Sequence, residues 1–221
     1  DSATDTTGKQ WNGLSPLGKD FVAECNRLGY ILDASHASDD VFDQMIALSK
    51  TPIILSHSGA KAVYDHPRNI DDERMKKLAA SGGVIQMNSL SAYLIPTPPN
   101  PERNKAMQAL MGKYGGRANM SPEQMKEMRA ERAELEKKYP VPMANFDDFM
   151  KHVLHTLKVV GAEHVGFGAD WDGGGGVTGM EDVASYHKIT ARLLAETTPE
   201  LGRRRILGAI AVLPFWLVWR A

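Results

Sequence analysis

Four apolar runs in the chain lead into residues that can do chemistry. Tyr30-Ile31-Leu32 is followed by Asp33-Ala34-Ser35-His36, and Ile53-Ile54-Leu55 by Ser56-His57-Ser58. Val84-Ile85-Gln86-Met87 leads into Asn88, and His164-Val165-Gly166-Phe167-Gly168 into Asp170-Trp171-Asp172-Gly173. Imidazole is the commonest nitrogen donor to borderline divalent ions, and a carboxylate suits the same ions, so two histidines and an aspartate point to zinc or a similar cation. One histidine after an apolar run is more often a hydrogen-bonded structural residue. Two successive Ser-His endings carry more, because structural need does not explain why consecutive runs should end alike. His36 and His57 are therefore candidate metal ligands. Asp170 is preferred to Asp172 as the acidic partner, since a turn beginning at Gly173 makes the direction of the second carboxylate less predictable.

Arg68-Asn69 falls after the second run, where a guanidinium could clamp a substrate carboxylate through two parallel hydrogen bonds. Loop or helix salt bridging is the plainer role for it. Ser35, Ser56 and Ser58 adjoin histidines, but neighbours on a strand point to opposite faces, so adjacency alone makes no nucleophilic dyad. His152 and His155 lie on a helix without the acidic and third-ligand context of a helical zinc motif. They are assigned to packing or solvent, as are His66, His164 and His187. Cys25, the single cysteine, reads as packing in a helix before the first run.

The elements that must position these residues alternate. Residues 1–20 read as an irregular lead-in with Gly13, Pro16 and Gly18 as breakers. After it, each apolar run reads as a short strand, and helical spacing follows: Val41, Phe42, Met45 and Ile46, then Met75, Leu78 and Ala79, then Phe149, Val153, Leu157 and Val160, then a last helix around Tyr186 to Ala195. Strands alternating with helices predict a parallel α/β sheet buried on both faces, with the carboxyl ends of all its strands on one functional face. A barrel or a doubly wound sheet would fit; no Gly-x-Gly-x-x-Gly follows the first strand, which weakens a dinucleotide-binding reading without excluding other open sheets, and a barrel is favoured. Four βα units are half of an eight-stranded barrel, which takes about 250 residues. Residues 96–142 interrupt the rhythm as an insertion, with Pro96, Pro98, Pro99 and Pro101 at its entry. Within it Ser121-Pro122-Glu123-Gln124 is a capping-box pattern heading a charged helix to about Tyr139, read as a solvated surface helix, with a lid or partner surface as the alternative.

Composition narrows the class. The chain has 221 residues, 26 Lys+Arg against 27 Asp+Glu, 43% hydrophobic residues and one cysteine. A disulfide scaffold is excluded, and a formal net charge of −1 gives no global attraction to nucleic acid or anionic membrane. No charged segment followed by an apolar run marks a signal. Any targeting sequence is expected upstream of Asp1, and the compartment, periplasmic, secreted or cytoplasmic in a bacterium, stays open.

Several segments together resemble one family. Glu24-Cys25-Asn26-Arg27-Leu28-Gly29, Leu32-Asp33-Ala34-Ser35-His36, Pro52-Ile53-Ile54-Leu55-Ser56-His57-Ser58-Gly59-Ala60, Arg68-Asn69-Ile70-Asp71-Asp72 and Gly166-Phe167-Gly168-Ala169-Asp170-Trp171-Asp172-Gly173 resemble the renal (membrane) dipeptidases in order and spacing. Gly179-Met180-Glu181-Asp182-Val183 is similar to their bacterial branch. The resemblance, from about Asp1 to about Ala195, implies the C-terminal half of a (β/α)8 TIM-like metal-dependent hydrolase barrel with a helical insertion. It implies a zinc metallopeptidase in which two zinc ions and a metal-bound hydroxide cleave a dipeptide. His36 and His57 match the histidines that hold one zinc. Asp170 matches the aspartate that handles the proton and the substrate's amino group, and Arg68 the arginine that binds the dipeptide carboxylate. The family's His-x-Asp pair, bridging Glu and substrate-contacting His would lie upstream of Asp1. At most one zinc is therefore expected in this chain, and no activity from it alone. A homodimer is one way for half a barrel to complete its sheet. Another metal-assisted amide, lactam or phosphoester hydrolase, or a non-catalytic fragment, are the alternatives. Residues 197–221 depart from the family, lacking its Gly-Gly-Asn-x-x-Arg helix. Their apolar part is shorter than the roughly 20 residues a membrane span needs and is interrupted by Pro214, so no stable span is expected; a frame-shifted reading is one hypothesis for this tail and a membrane-associated tail the weaker rival.

Overall fold

Short polar side chains start most of the helices. Ser15 accepts a hydrogen bond from the backbone N–H of Gly18 and opens α1 (Pro16–Leu28). Ser38 caps α2 (Asp39–Leu48), and Asp71 caps α3 (Asp72–Ala80). The lead-in expected over residues 1–20 therefore ends early: Pro16 is the first residue of a helix, where its missing N–H costs nothing, rather than a breaker. The computed structural model describes residues 1–4, 8–115 and 120–196. The atypical tail at 197–221 lies outside the described residues.

Four strands, β1 (Ile54–Ala60), β2 (Asn69–Ile70), β3 (Val84–Met87) and β4 (Val165–Phe167), form one parallel sheet in the order β2-β1-β3-β4. Three of the four runs read as strands are in it. The first, Tyr30-Ile31-Leu32, makes no ladder. It leads into a single parallel bridge between Asp33 and Ile54, in which Ile54 N–H donates to the Leu32 carbonyl at 2.9 Å and Ala34 N–H to the Ile54 carbonyl at 2.9 Å. Tyr30 and Ile31 stay 65% and 46% exposed. β2 is too short to leave any periodicity in sequence. The longest core helix, α7 (Phe146–Val160), begins with a reciprocal capping box between Asn145 and Asp148 and lies against β1, β3, β4 and α3. Its Phe149, Met150 and Val153 are fully buried with Met75, Ile85 and Met87. α8 (Tyr186–Glu196) contributes Ile189 and Leu193 to the same core.

Among the described residues, those up to Ile95 pack with those from Ala144 to Glu196, while Pro96–Met143 form a second compact unit. In the second unit α5 (Pro101–Lys113) and α6 (Pro122–Lys138) pack on each other, with Glu131 receiving hydrogen bonds from Lys113 Nζ and the Tyr114 hydroxyl. α6 carries the expected capping box at Ser121 and Gln124. In the first unit a one-turn helix, α4 (Ser91–Leu94), follows β3. Leu17, Phe21 and Leu28 of α1 remain exposed beside Tyr30 and Ile31 along an open apolar groove of about 820 Å³. Among the described residues no helix is long and apolar enough to cross a membrane.

Candidate active site

The site is built on an irregularity in β1. Leu55 pairs with Ile85, but Ser58 pairs with Met87, so β1 carries one residue more than β3 between these pairs, as in a bulge. Ser56 and His57 sit at that point, and their side chains come together instead of alternating: Ser56 Oγ lies 2.7 Å from His57 Nδ1. The expectation that sequence neighbours here point apart fails because the extra residue breaks the pleat. Asp33, which the sequence reading did not single out, ties this group together. Its Oδ2 accepts from the Ser56 hydroxyl at 2.5 Å, and its Oδ1 from the Ser35 hydroxyl at 2.7 Å and from the Ser35 and Ser56 amides at 3.0 and 3.1 Å. Desolvation pushes the Asp33 carboxyl up, but the hydrogen bonds from Ser56 and Ser35 outweigh it and hold it below the usual carboxylate range. The His57 amide donates to Ser35 Oγ at 3.0 Å. The available signal was the Asp-x-Ser-His spacing, which places a carboxylate two residues before a hydroxyl that faces the next strand.

His36 and His57 meet at their Nε2 atoms, 2.9 Å apart, with the rings edge-on at 62°. Two nitrogens bound tetrahedrally to one zinc at about 2.0–2.1 Å lie about 3.3 Å apart, so a separation a few tenths of an ångström wider than the observed one would seat the pair in two positions of a zinc site. Partial desolvation, then the positive charge of Arg68 and the neighbouring His57, lower the His36 imidazole below its ordinary range, against opposing pulls from Asp33 and Asp170. Its neutral, metal-binding form is thereby favoured near pH 7. Among the described residues no group of three or more His, Cys, Asp and Glu side chains is placed to hold a metal ion, so Asp170 does not complete a third position. β4 ends at Phe167, and Asp170 lies three residues beyond it in the left-handed region at φ 60°, ψ 40°. Its carbonyl accepts from the Gly173 and Gly175 amides at 3.0 and 2.7 Å. Strand alternation therefore says nothing about Asp172, which is exposed in the 3-10 turn Trp171–Gly173.

Arg68 is 6% exposed. Its Nε donates to the Ser35 carbonyl at 3.1 Å and its Nη1 to the Tyr93 hydroxyl at 3.1 Å, with the guanidinium 4.9 Å from the centre of the Tyr93 ring. Nη2 is buried and has no hydrogen-bond partner. Asn88, fully buried at the end of β3, likewise has an unpaired Nδ2 while its Oδ1 accepts from the Leu90 amide. The remaining histidines are engaged elsewhere. His152 is fully buried, its Nδ1 accepting from the Ala60 amide at 3.0 Å; His155 pairs with Asp72 at 2.7 Å. His164 and His187 each place Nδ1 on a backbone carbonyl, and His66 stacks on Tyr93. Cys25 is buried in the core.

Against known proteins, the family model for membrane dipeptidase (peptidase family M19) matches residues 1–208. An uncharacterized dipeptidase of Schizosaccharomyces pombe is 33% identical over 196 residues, covering 87% of this chain and 37% of that protein. The crystal structure of the probable dipeptidase PvdM from Pseudomonas aeruginosa superposes with a TM-score of 0.65 at 30% identity, over 89% of this chain and 54% of that one. A metallo peptidase from Rhodobacter sphaeroides, liganded with a phosphinate mimic of the dipeptide L-Ala-D-Ala, superposes with a TM-score of 0.60 at 26% identity, over 87% of this chain and 44% of that one. The chain spans between 36% and 41% of the length of the curated relatives it matches.

Proposed function

The chain belongs to the membrane dipeptidase family, peptidase family M19, and from that premise we propose that it is the C-terminal part of a metallo-dipeptidase barrel. The observation that carries the reading is the pair of Nε2 atoms of His36 and His57 converging at 2.9 Å beside the bulge in β1. In this reading both histidines hold one zinc. Zinc, when bound, makes hydroxide available near neutral pH and polarises the peptide carbonyl. The chain's own residues then bind and orient a substrate with two charged ends. Arg68 receives the dipeptide carboxylate on Nη2, the donor that no protein group uses, and on the second hydrogen of Nη1. Tyr93 and the Ser35 carbonyl hold the guanidinium plane for that contact. Asp170, held in its turn by the Gly173 and Gly175 amides, takes the substrate's ammonium end and the proton released during attack. Reading both ends at once restricts the enzyme to dipeptides.

A second reading, a fragment without catalysis of its own, is favoured by one observation: the described residues bring only two ligands together. Metal content separates the two. Zinc per folded chain is measured for this chain, for His36→Ala and for a longer chain extended upstream. One zinc or less here, lost in His36→Ala, with two in the longer chain, supports the dipeptidase reading. No zinc in any of the three removes it and leaves a binding or structural role.

A further inference from the structure

The hydrogen bonds around Ser56 leave only one place for each proton. Ser56 has a single hydroxyl hydrogen and three polar neighbours: Asp33 Oδ2 at 2.5 Å, His57 Nδ1 at 2.7 Å and Ser35 Oγ at 3.2 Å. An ionised carboxylate only accepts, so the shortest contact fixes the hydroxyl hydrogen on the line to Asp33. Were Ser56 to donate to His57 instead, an anionic oxygen would face a serine lone pair at 2.5 Å with no hydrogen between them. Ser35 cannot relieve this, because its own hydroxyl donates to Asp33 Oδ1. Toward His57, then, Ser56 Oγ accepts, and the hydrogen of that bond belongs to Nδ1.

We infer that Asp33, acting through the Ser56 hydroxyl, is a positioning residue that fixes His57 as the Nδ1–H tautomer and keeps its Nε2 lone pair bare and aimed at His36. With Nε2 bare, His57 can ligate a divalent cation with no change of tautomer. Outer hydrogen bonds that set the tautomer of a ligating histidine typically contribute about tenfold to a hundredfold in metal affinity. The bulge in β1 is what makes the relay geometrically available, since regular pleating would put Ser56 and His57 on opposite faces. The affinity consequence rests on the reading of His57 as a zinc ligand; the tautomer assignment does not.

The test is long-range ¹H–¹⁵N correlation spectroscopy of the ¹⁵N-labelled, metal-free chain at pH 7, followed by titration with Zn²⁺. The wild-type spectrum should show a protonated Nδ1 and a bare Nε2 for His57, and a bare Nδ1 with a protonated Nε2 in the same ring overturns the inference without any variant. Asp33→Ala frees the Ser56 hydrogen to donate to Nδ1, so the ring should shift toward the Nε2–H form. Ser56→Ala should give a mixture, and Ser56→Thr, which keeps the hydroxyl, should restore the wild-type pattern. An unchanged tautomer in both alanine variants overturns the relay. Zn²⁺ affinity should fall about tenfold to a hundredfold in Ser56→Ala and recover in Ser56→Thr. If His57→Ala abolishes Zn²⁺ binding while Ser56→Ala leaves it untouched, positioning is refuted. If the tautomer pattern holds and the wild-type chain takes up no Zn²⁺, the ligand reading of His57 fails and the positioning inference stands.

Discussion

His152 shows how a single buried side chain can set acid stability without taking part in chemistry. Burial pushes its imidazole down to about 4, only partly offset by the bond from Nε2 to the Leu94 carbonyl, while Nδ1 accepts from the Ala60 amide. The folded state thus keeps it neutral where the unfolded chain, titrating near 6.5, takes a proton. Its stabilising contribution is complete above pH 6.5 and is lost as pH falls from 6.5 to about 4, a total of roughly 3 kcal/mol. His152→Asn, which keeps an acceptor for Ala60, should flatten the fall in thermal midpoint between pH 7 and 5; a slope equal to that of the wild type would show that other groups dominate. The carboxyls of Asp33, Asp43, Asp71 and Asp148 are held low and lose their contributions at lower pH, outside most of this window. Arg68 belongs to the same scale. In the longer enzyme, Arg68→Ala should lower kcat/KM for dipeptides about tenfold to a hundredfold, through KM, and leave C-terminally amidated substrates little changed. Equal losses on both substrates would remove the carboxylate role.

Elements meet most closely where glycine lets backbones touch. A Cβ on Gly168 would stand 1.8 Å from the Ser56 carbonyl oxygen, a backbone atom that cannot swing aside. Gly168→Ala should therefore cost about 1–3 kcal/mol and distort β1 at Ser56 and His57. Chemical denaturation reads the first effect, and the His57 ring signals the second. An alanine variant as stable as the wild type would mean that β1 and the segment after β4 can part without penalty. This contact also explains part of what sequence reading could and could not reach. The caps at Ser38, Asp71 and Ser121 and the apolar stripe of α7 follow from local periodicity and were legible. The bulge in β1 was not, since it exists only as a mismatch between two strands thirty residues apart. Nor was the reach of Asp33 to Ser56, because a carboxylate placed before a Ser-His ending declares no partner until the strands are paired.

At the scale of the molecule, two surfaces invite measurement. Leu17, Phe21 and Leu28 of α1, with Tyr30 and Ile31, expose apolar side chains along one groove, a patch of a kind that soluble monomers rarely leave open. The chain should self-associate, its sedimentation-average mass rising with concentration, and Phe21→Glu with Ile31→Lys should suppress this. A monomer at all concentrations would contradict it. The second concerns Pro96–Met143. The fully buried Ala144 donates its amide to Ser91 Oγ at 3.1 Å, so the chain leaves and re-enters the sheet-bearing unit at neighbouring points. Replacing Pro96–Met143 by a short Gly/Ser linker should leave that unit folding cooperatively, as followed by circular dichroism. Loss of cooperative unfolding would show that the sheet-bearing unit depends on the excised segment.

The sequence by itself determined the α/β class, the family and the positions of three of the four strands, because hydrophobic periodicity, caps and motif spacing are local properties written along the chain. It also named His36 and His57 by their matching Ser-His endings. Only the tertiary structure decided that their Nε2 atoms converge, that Asp170 sits in a left-handed turn beyond β4, and that Asp33, Ser56 and His57 are linked by hydrogen bonds. Those are relations between strand ends distant in sequence, fixed by parallel pairing, one extra residue in β1 and the turn after β4. No local pattern encodes where such ends meet.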